Sequence, residues 1–130
     1  MKRLLAILIS ATLGFGLANA QPGFDVFQTI SKYLVQGNSE ALSAWFAPDV
    51  DVTVISGGGN ASRSQAEQIV RRFFRVYTPQ SFSLIHTAGR ANMKYALGDL
   101  TAGGETFTVT IFLSCKDEKV EIQQLKIERI

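Results

Sequence analysis

After Pro79 the sequence alternates apolar and polar residues almost to its last position, and no other feature restricts the fold as tightly. A period of two puts successive side chains on opposite faces of an extended chain. Four strands are therefore expected, over residues 81–88, 93–101, 105–115 and 119–128. The breaks between them, at 89–92, 102–104 and 116–118, are of hairpin length, so consecutive strands pair antiparallel as a meander. Thr106, Thr108 and Thr110 alternate with Phe107, Val109 and Ile111, which gives the sheet one apolar face and one face rich in threonine.

Upstream the periodicity changes. Phe24, Phe27, Ile30 and Leu34, with Val26 and Tyr33 beside them, recur at three- and four-residue steps, which predicts an amphipathic helix over 24–35. Gln36-Gly37-Asn38 ends it, and Asn38 or Ser39 caps a short second helix with Leu42, Trp45 and Phe46 on one side. Pro48 forbids that helix to continue. The β-branched run 50–55 predicts a strand with Val50, Val52 and Val54 on one face, and Ser56-Gly57-Gly58-Gly59-Asn60 is expected to be a loop. Ser64 with Glu67 resembles a capping box, opening a third helix whose Ala66, Ile69, Val70, Phe73, Phe74 and Tyr77 form one stripe. Arg71, Arg72 and Arg75 fall largely opposite that stripe and are expected to be a solvated face.

Residues 1–20 have the pattern of a secretory signal peptide. Lys2 and Arg3 precede an apolar run over 4–17, and Ala18-Asn19-Ala20 supplies the small residues of a cleavage site. That run is interrupted by Ser10, Thr12, Gly14 and Gly16, and it falls short of the roughly 20 apolar residues that a membrane span requires. No cysteine stands beside the site, which argues against a lipoprotein. The expectation is export to the periplasm or medium with no stable membrane anchor after processing, leaving one domain over 21–130. Two of the 13 Lys and Arg leave with the signal, so the mature domain balances its 11 Asp and Glu. A neutral domain has no field for a phosphate backbone, and nucleic acid is not expected as a partner. Cys115 is the only cysteine, so no internal disulfide can form; its place in an alternating strand predicts a buried, inert thiol.

The element order ααβαββββ describes an α+β domain in which three helices cover one face of a curved antiparallel sheet, a cone. The chain here resembles the nuclear-transport-factor-2-like (ketosteroid-isomerase-like, cystatin-like) superfamily. More closely, it is similar to the secreted bacterial family called domain of unknown function 4783. The stretches that carry the likeness are Gly37 to Leu42, Trp45-Phe46-Ala47-Pro48-Asp49-Val50, Ser64 to Ile69, Phe73-Phe74, Tyr95 to Leu100 and Ile122 to Glu128. The resemblance implies the cone fold and an exported protein, and it brings no reaction with it.

Catalytic members of that superfamily work inside the open end of the cone with a carboxylate or a His-Asp pair. By that resemblance His86, the only histidine, and Asp51, opposite the valine face of its strand, are the candidate catalytic residues. By parity His86 is expected on the side of Phe82 and Leu84. Asp99 shares the ambiguity of Asp51. Trp45, Tyr77 and Tyr95 are the candidate ligand-binding residues, the tyrosines as hydrogen-bond donors. One histidine without His or Cys neighbours points to no metal site. Gly57-Gly58-Gly59 lacks the Lys and Ser/Thr of a phosphate loop, and no cofactor is expected. The reading that follows is a non-catalytic exported domain binding a small apolar ligand or a protein partner, with a weak homodimer through the threonine-rich face. The alternative is a cofactor-free isomerase, dehydratase or cyclase using Asp51 and His86. N-terminal sequencing of exported protein is expected to begin at Gln21; a chain retaining residues 4–17 in the membrane fraction refutes the processing site.

Overall fold

The computed structural model describes residues 24–130, and the expected signal peptide and cleavage site lie outside the described residues. Helix α1, Val26–Gln36, buries Phe27, Ile30 and Leu34 along one stripe. Gly37 closes it in the left-handed region, with its N–H donating to the Leu34 carbonyl at 3.2 Å and that of Asn38 to Tyr33 at 3.0 Å. Asn38 then caps helix α2, Ser39–Ser43, accepting the Ala41 N–H at 3.0 Å.

Strand β1, Phe46–Val54, starts earlier than its β-branched run, and Phe46 belongs to it rather than to α2. Phe46 sits opposite Ile122 in the sheet and is 1% exposed. Pro48 lies in the irregular stretch between Phe46 and Asp51. A residue without an N–H is tolerated there because the ladder is already broken.

Strand β2, Gly57–Ser62, forms where a loop was expected. It pairs antiparallel with β1 from Val54↔Gly57 to Asp49↔Ser62, leaving Ile55–Ser56 as a two-residue turn. Three glycines have little strand propensity of their own. They are ordered because the free edge of β1 offers backbone partners. Helix α3, Arg63–Val76, follows at once. Its capping box is Ser62 with Gln65, two residues before the expected Ser64 and Glu67. Glu67 instead accepts hydrogen bonds from Ser39 and Arg71.

The meander consists of β3 (Pro79–Gly89), β4 (Met93–Ala102), β5 (Glu105–Lys116) and β6 (Lys119–Arg129), within two residues of expectation at every end. Among the described residues one sheet contains all six strands in the order β2-β1-β6-β5-β4-β3. The pairing of β1 with β6 is parallel and the others are antiparallel. Register slips at Pro79/Ser81 and Leu84/His86 in β3, and between Ile122 and Gln124 in β6, insert the extra residues Gln80, Ile85 and Gln123. Such bulges bend a sheet and reverse the alternation beyond them.

The core lies between the three helices of the described residues and the inner sheet face. Phe107, Val109, Ile111 and Leu113 of β5 are at most 1% exposed and lie beneath Val70, Phe73 and Phe74 of α3 and Ile30 and Leu34 of α1 in one cluster. The Phe73 ring meets Phe107 edge-on at 5.1 Å and Tyr77 at 5.2 Å. Cys115 is half-buried and free, less enclosed than expected. Phe73→Ala should destabilise the domain by about 3–5 kcal/mol in denaturant melts. Arg72→Ala, on the exposed face of the same helix, should change stability by less than about 0.5 kcal/mol; equal losses contradict the assignment of faces.

Candidate functional site

The structure separates the two expected catalytic residues. Asp51 alternates with buried Val50 and Val52 and therefore faces outward; its carboxylate accepts from Gln124 Nε2 at 3.1 Å and from Thr53 Oγ1 at 3.5 Å. Phe82 and Leu84 are half-buried toward the helices, but the extra residue Ile85 turns His86 to the opposite side, where it pairs with Leu97. The His86 ring stands 6.2 Å from Tyr95, which lies 5.1 Å from Phe112. Four strand spacings separate β1 from β3, a distance of about 19 Å. Asp51 and His86 thus share the outer face without meeting, and the expected acid–base pair inside a cone does not form. Asp99 is exposed on the same face, opposite Ser83 and Thr108.

The three candidate ligand-binding residues are also apart. Tyr95 belongs to the outer face. Trp45 is half-buried at the α2–β1 junction, where its carbonyl accepts the Ile122 N–H at 2.6 Å. Tyr77 is on the helical side, at the C-terminal cap of α3. Its ring lies tilted against Phe73 and meets Phe107 edge-on, and its hydroxyl oxygen accepts from Arg129 Nη2 at 2.7 Å. The Glu105 carboxylate holds the Arg129 Nε at 3.0 Å and raises the guanidinium above its ordinary value, chiefly through that hydrogen bond. Gly103, at φ 59° in the β4–β5 turn, brings its backbone so close to Tyr77 that a Cβ would lie 3.0 Å from the Tyr77 Cα.

Of these residues only Tyr77 borders a concave apolar surface. Between the β1–β2 hairpin and the C-terminal half of α3 runs a groove of about 360 Å³, walled by Val54, Ile55, Ile69, Phe73, Val76 and Tyr77, with Gly57, Gly58 and Arg72 at its rim. The groove exists because the hairpin lacks side chains where it faces the helix. Gly57 and Gly59 pair with Val54 and Val52, whose side chains lie on the helical side, and a Cβ at either glycine would meet nothing within 4 Å. Val76 remains 70% exposed for the same reason.

Ile55 is held at φ 60°, a region that a β-branched residue adopts at a cost of about 1–2 kcal/mol. Its N–H donates to the Ile127 carbonyl at 2.6 Å, which fixes the strained turn beside the groove. The sequence carried a signal for this wall in its glycine triplet, which without a known pairing partner reads only as a loop.

Two other concavities differ in chemistry. A cleft of about 630 Å³ between α2 and the start of α3 is lined by Glu40, Ser43, Arg63, Glu67 and Arg71 among others. Two of its cations are already engaged: Arg71 bonds Glu67 at 2.6 Å, and Arg63 Nε donates to the Phe46 carbonyl at 3.0 Å. A shallow hollow of about 280 Å³ at the β3 edge takes in His86 with Phe24, Gln28 and Leu84. Among the described residues no group of three or more His, Cys, Asp or Glu gathers as a metal site would require.

One buried charge escaped the sequence reading. Lys94 is 1% exposed on the inner face, donates to the Arg90 carbonyl and lies 4.7 Å over the Phe24 ring. The ring face offsets part of the desolvation cost of the ammonium. Parity with Ala96 and Leu100 was the available signal.

A curved six-stranded sheet carrying three helices is the nuclear-transport-factor-2-like, or cystatin-like, α+β architecture. Within it, a family model described as Domain of unknown function (DUF4783) matches residues 27–128, and the chain belongs to that family. A DUF4783 family protein from Bacteroides uniformis is 24% identical, with 78% of this chain and 94% of that chain covered and a TM-score of 0.73. One from Bacteroides ovatus is 22% identical over 78% and 92%, also with a TM-score of 0.73. A domain of unknown function with a cystatin-like fold from Nostoc punctiforme is 13% identical over 80% and 72%, with a TM-score of 0.64. At these identities the likeness of the solved structures establishes the fold alone. No curated protein matches the chain.

The separation of Asp51 from His86 is testable by NMR at fixed pH. Asp51→Asn should shift the side-chain amide resonances of Gln124 and leave the His86 ring resonances in place. A displaced His86 ring signal contradicts the distance between the two strands.

Proposed function

We propose that this protein is an exported, non-catalytic binding module that holds a small apolar ligand in the groove between the β1–β2 hairpin and α3. The observation that carries this reading is the wall itself. Aliphatic and aromatic side chains converge on a concave surface bordered by a strained turn at Ile55, and among the described residues no carboxylate or imidazole lines it. Binding requires only an apolar cavity with a few polar groups. Proton transfer requires a titratable group within hydrogen-bond reach of the substrate and, for the pair considered, of its partner. The positions of Asp51 and His86 therefore favour the binder over an isomerase, dehydratase or cyclase.

A neutral apolar probe tests the reading. 1-Octanol should perturb the methyl resonances of Val54, Ile55, Ile69 and Val76, and Gly57→Phe should weaken that binding at least tenfold by filling the groove. Gly57 tolerates the change because a Cβ there meets open space and its φ is not in the positive range. Unmoved methyl signals, or unchanged affinity in the variant, sink the proposal.

The outer sheet face supports a further part of the same reading, a weak homodimer. Tyr95, Leu97 and Phe112 are half-buried there beside Thr108 and Thr110, a mixed surface suited to a wet contact. Sedimentation should show some dimer at high micromolar concentration; a strict monomer to about 1 mM, where contacts worth about 4 kcal/mol populate dimer, refutes it.

A further inference from the structure

The apolar groove does not end at its own rim. It adjoins a second recess of about 340 Å³, and the two share Gly58, Ile69 and Arg72. The chemistry changes across that boundary, because the walls of the second recess include Asn60, Gln65 and Gln68. Resting on the groove as the binding site, we infer that its ligand is an amphiphile with a carboxylate head, the apolar body lying in the groove and the head meeting Arg72.

Among the described residues Arg72 is the only charged one lining either chamber, and no carboxylate lines them. Among the described residues Arg72 makes no ion pair, whereas Arg71 is bound to Glu67 and Arg129 to Glu105. Gln65 uses its oxygen to accept the Ser62 N–H at 3.0 Å, so what it has left to offer a ligand is its N–H donors. The side chains of Asn60 and Gln68 form no hydrogen bond among the described residues. One guanidinium with neutral amide donors suits a planar monoanion, which it can bind through two parallel hydrogen bonds. A phosphate dianion would keep about half its charge uncompensated. The bare backbone of Gly58 and Gly59 leaves the hairpin side of the passage between the chambers free of side chains.

The experiment compares octanoate with 1-octanol, titrated into the mature chain and followed by backbone amide shifts at low salt. Octanoate should bind at least tenfold more tightly than 1-octanol, with shifts at Asn60 and Gln68 that the alcohol does not produce. Arg72→Gln should erase that preference, while Arg71→Gln, at a residue that lines neither chamber, should preserve it and leave 1-octanol binding unchanged. Equal affinities in the wild-type chain, or a preference that survives Arg72→Gln, overturn the head-group assignment and leave the groove standing. If neither compound binds the wild-type chain, the groove reading and this inference fall together.

Discussion

The parallel pairing of β1 with β6 is the contact on which the rest of the architecture depends. The meander can assemble from neighbouring hairpins, but β1 meets β6 only across some seventy residues of chain, with Val52 opposite Leu125 and Val54 opposite Ile127. Closing so long a loop has an entropic cost that must be met by burial. Val52, Leu125 and Ile127 are all 0% exposed, as is Ile122 opposite Phe46. Through this seam the N-terminal half becomes part of the sheet. The β1–β2 hairpin extends it, α3 lies over β1, and the groove forms between them.

Curvature is the second determinant, and it arises from single inserted residues. Ile85 and Gln123 each stand opposite no partner of their own, bending the strands that contain them. At Gln123 the result is that Ile122 and Leu125, three apart in sequence, both point inward. At Ile85 the same geometry carries His86 away from the side of Phe82 and Leu84. A residue whose alternation suggested the helical face is thereby placed among Tyr95 and Phe112 on the outer one.

Charge is distributed so that most ionic groups are already engaged near α3. Glu67 is shared between Ser39 and Arg71, Glu105 holds Arg129, and Arg129 in turn holds the Tyr77 hydroxyl. These exposed or half-exposed pairs add little stability singly. Their consequence is selective, since they leave Arg72 as the unpaired cation beside the apolar groove. Lys94 is a different case, a cation enclosed by its own strand loop and the Phe24 ring at the opposite end of the inner face. The family relationship supplies the fold, and the chemistry has to be read from these side chains.

Much of the fold was legible in the sequence, because its signals act between near neighbours. The four meander strands, the stripe of α1 and the apolar face of α3 follow from periods of two and 3.6 together with Gly37 and the hairpin breaks. Three features were decided only in three dimensions. Phe46 left its expected helix for β1 because Ile122 offered it a strand partner, and Gly57–Ser62 became β2 because the β1 edge was free. The capping box moved to Ser62 because that strand ends where α3 begins. The site divides in the same way. Sequence singled out Asp51, His86, Trp45, Tyr77 and Tyr95 by chemical type, but bulges and strand order, which depend on hydrogen bonds to a partner strand, distribute them over different faces and ends. The groove of Ile55, Gly57, Ile69, Arg72 and Val76 leaves no local trace beyond its glycine run, since a concave surface is a property of the gap between elements and not of any one of them.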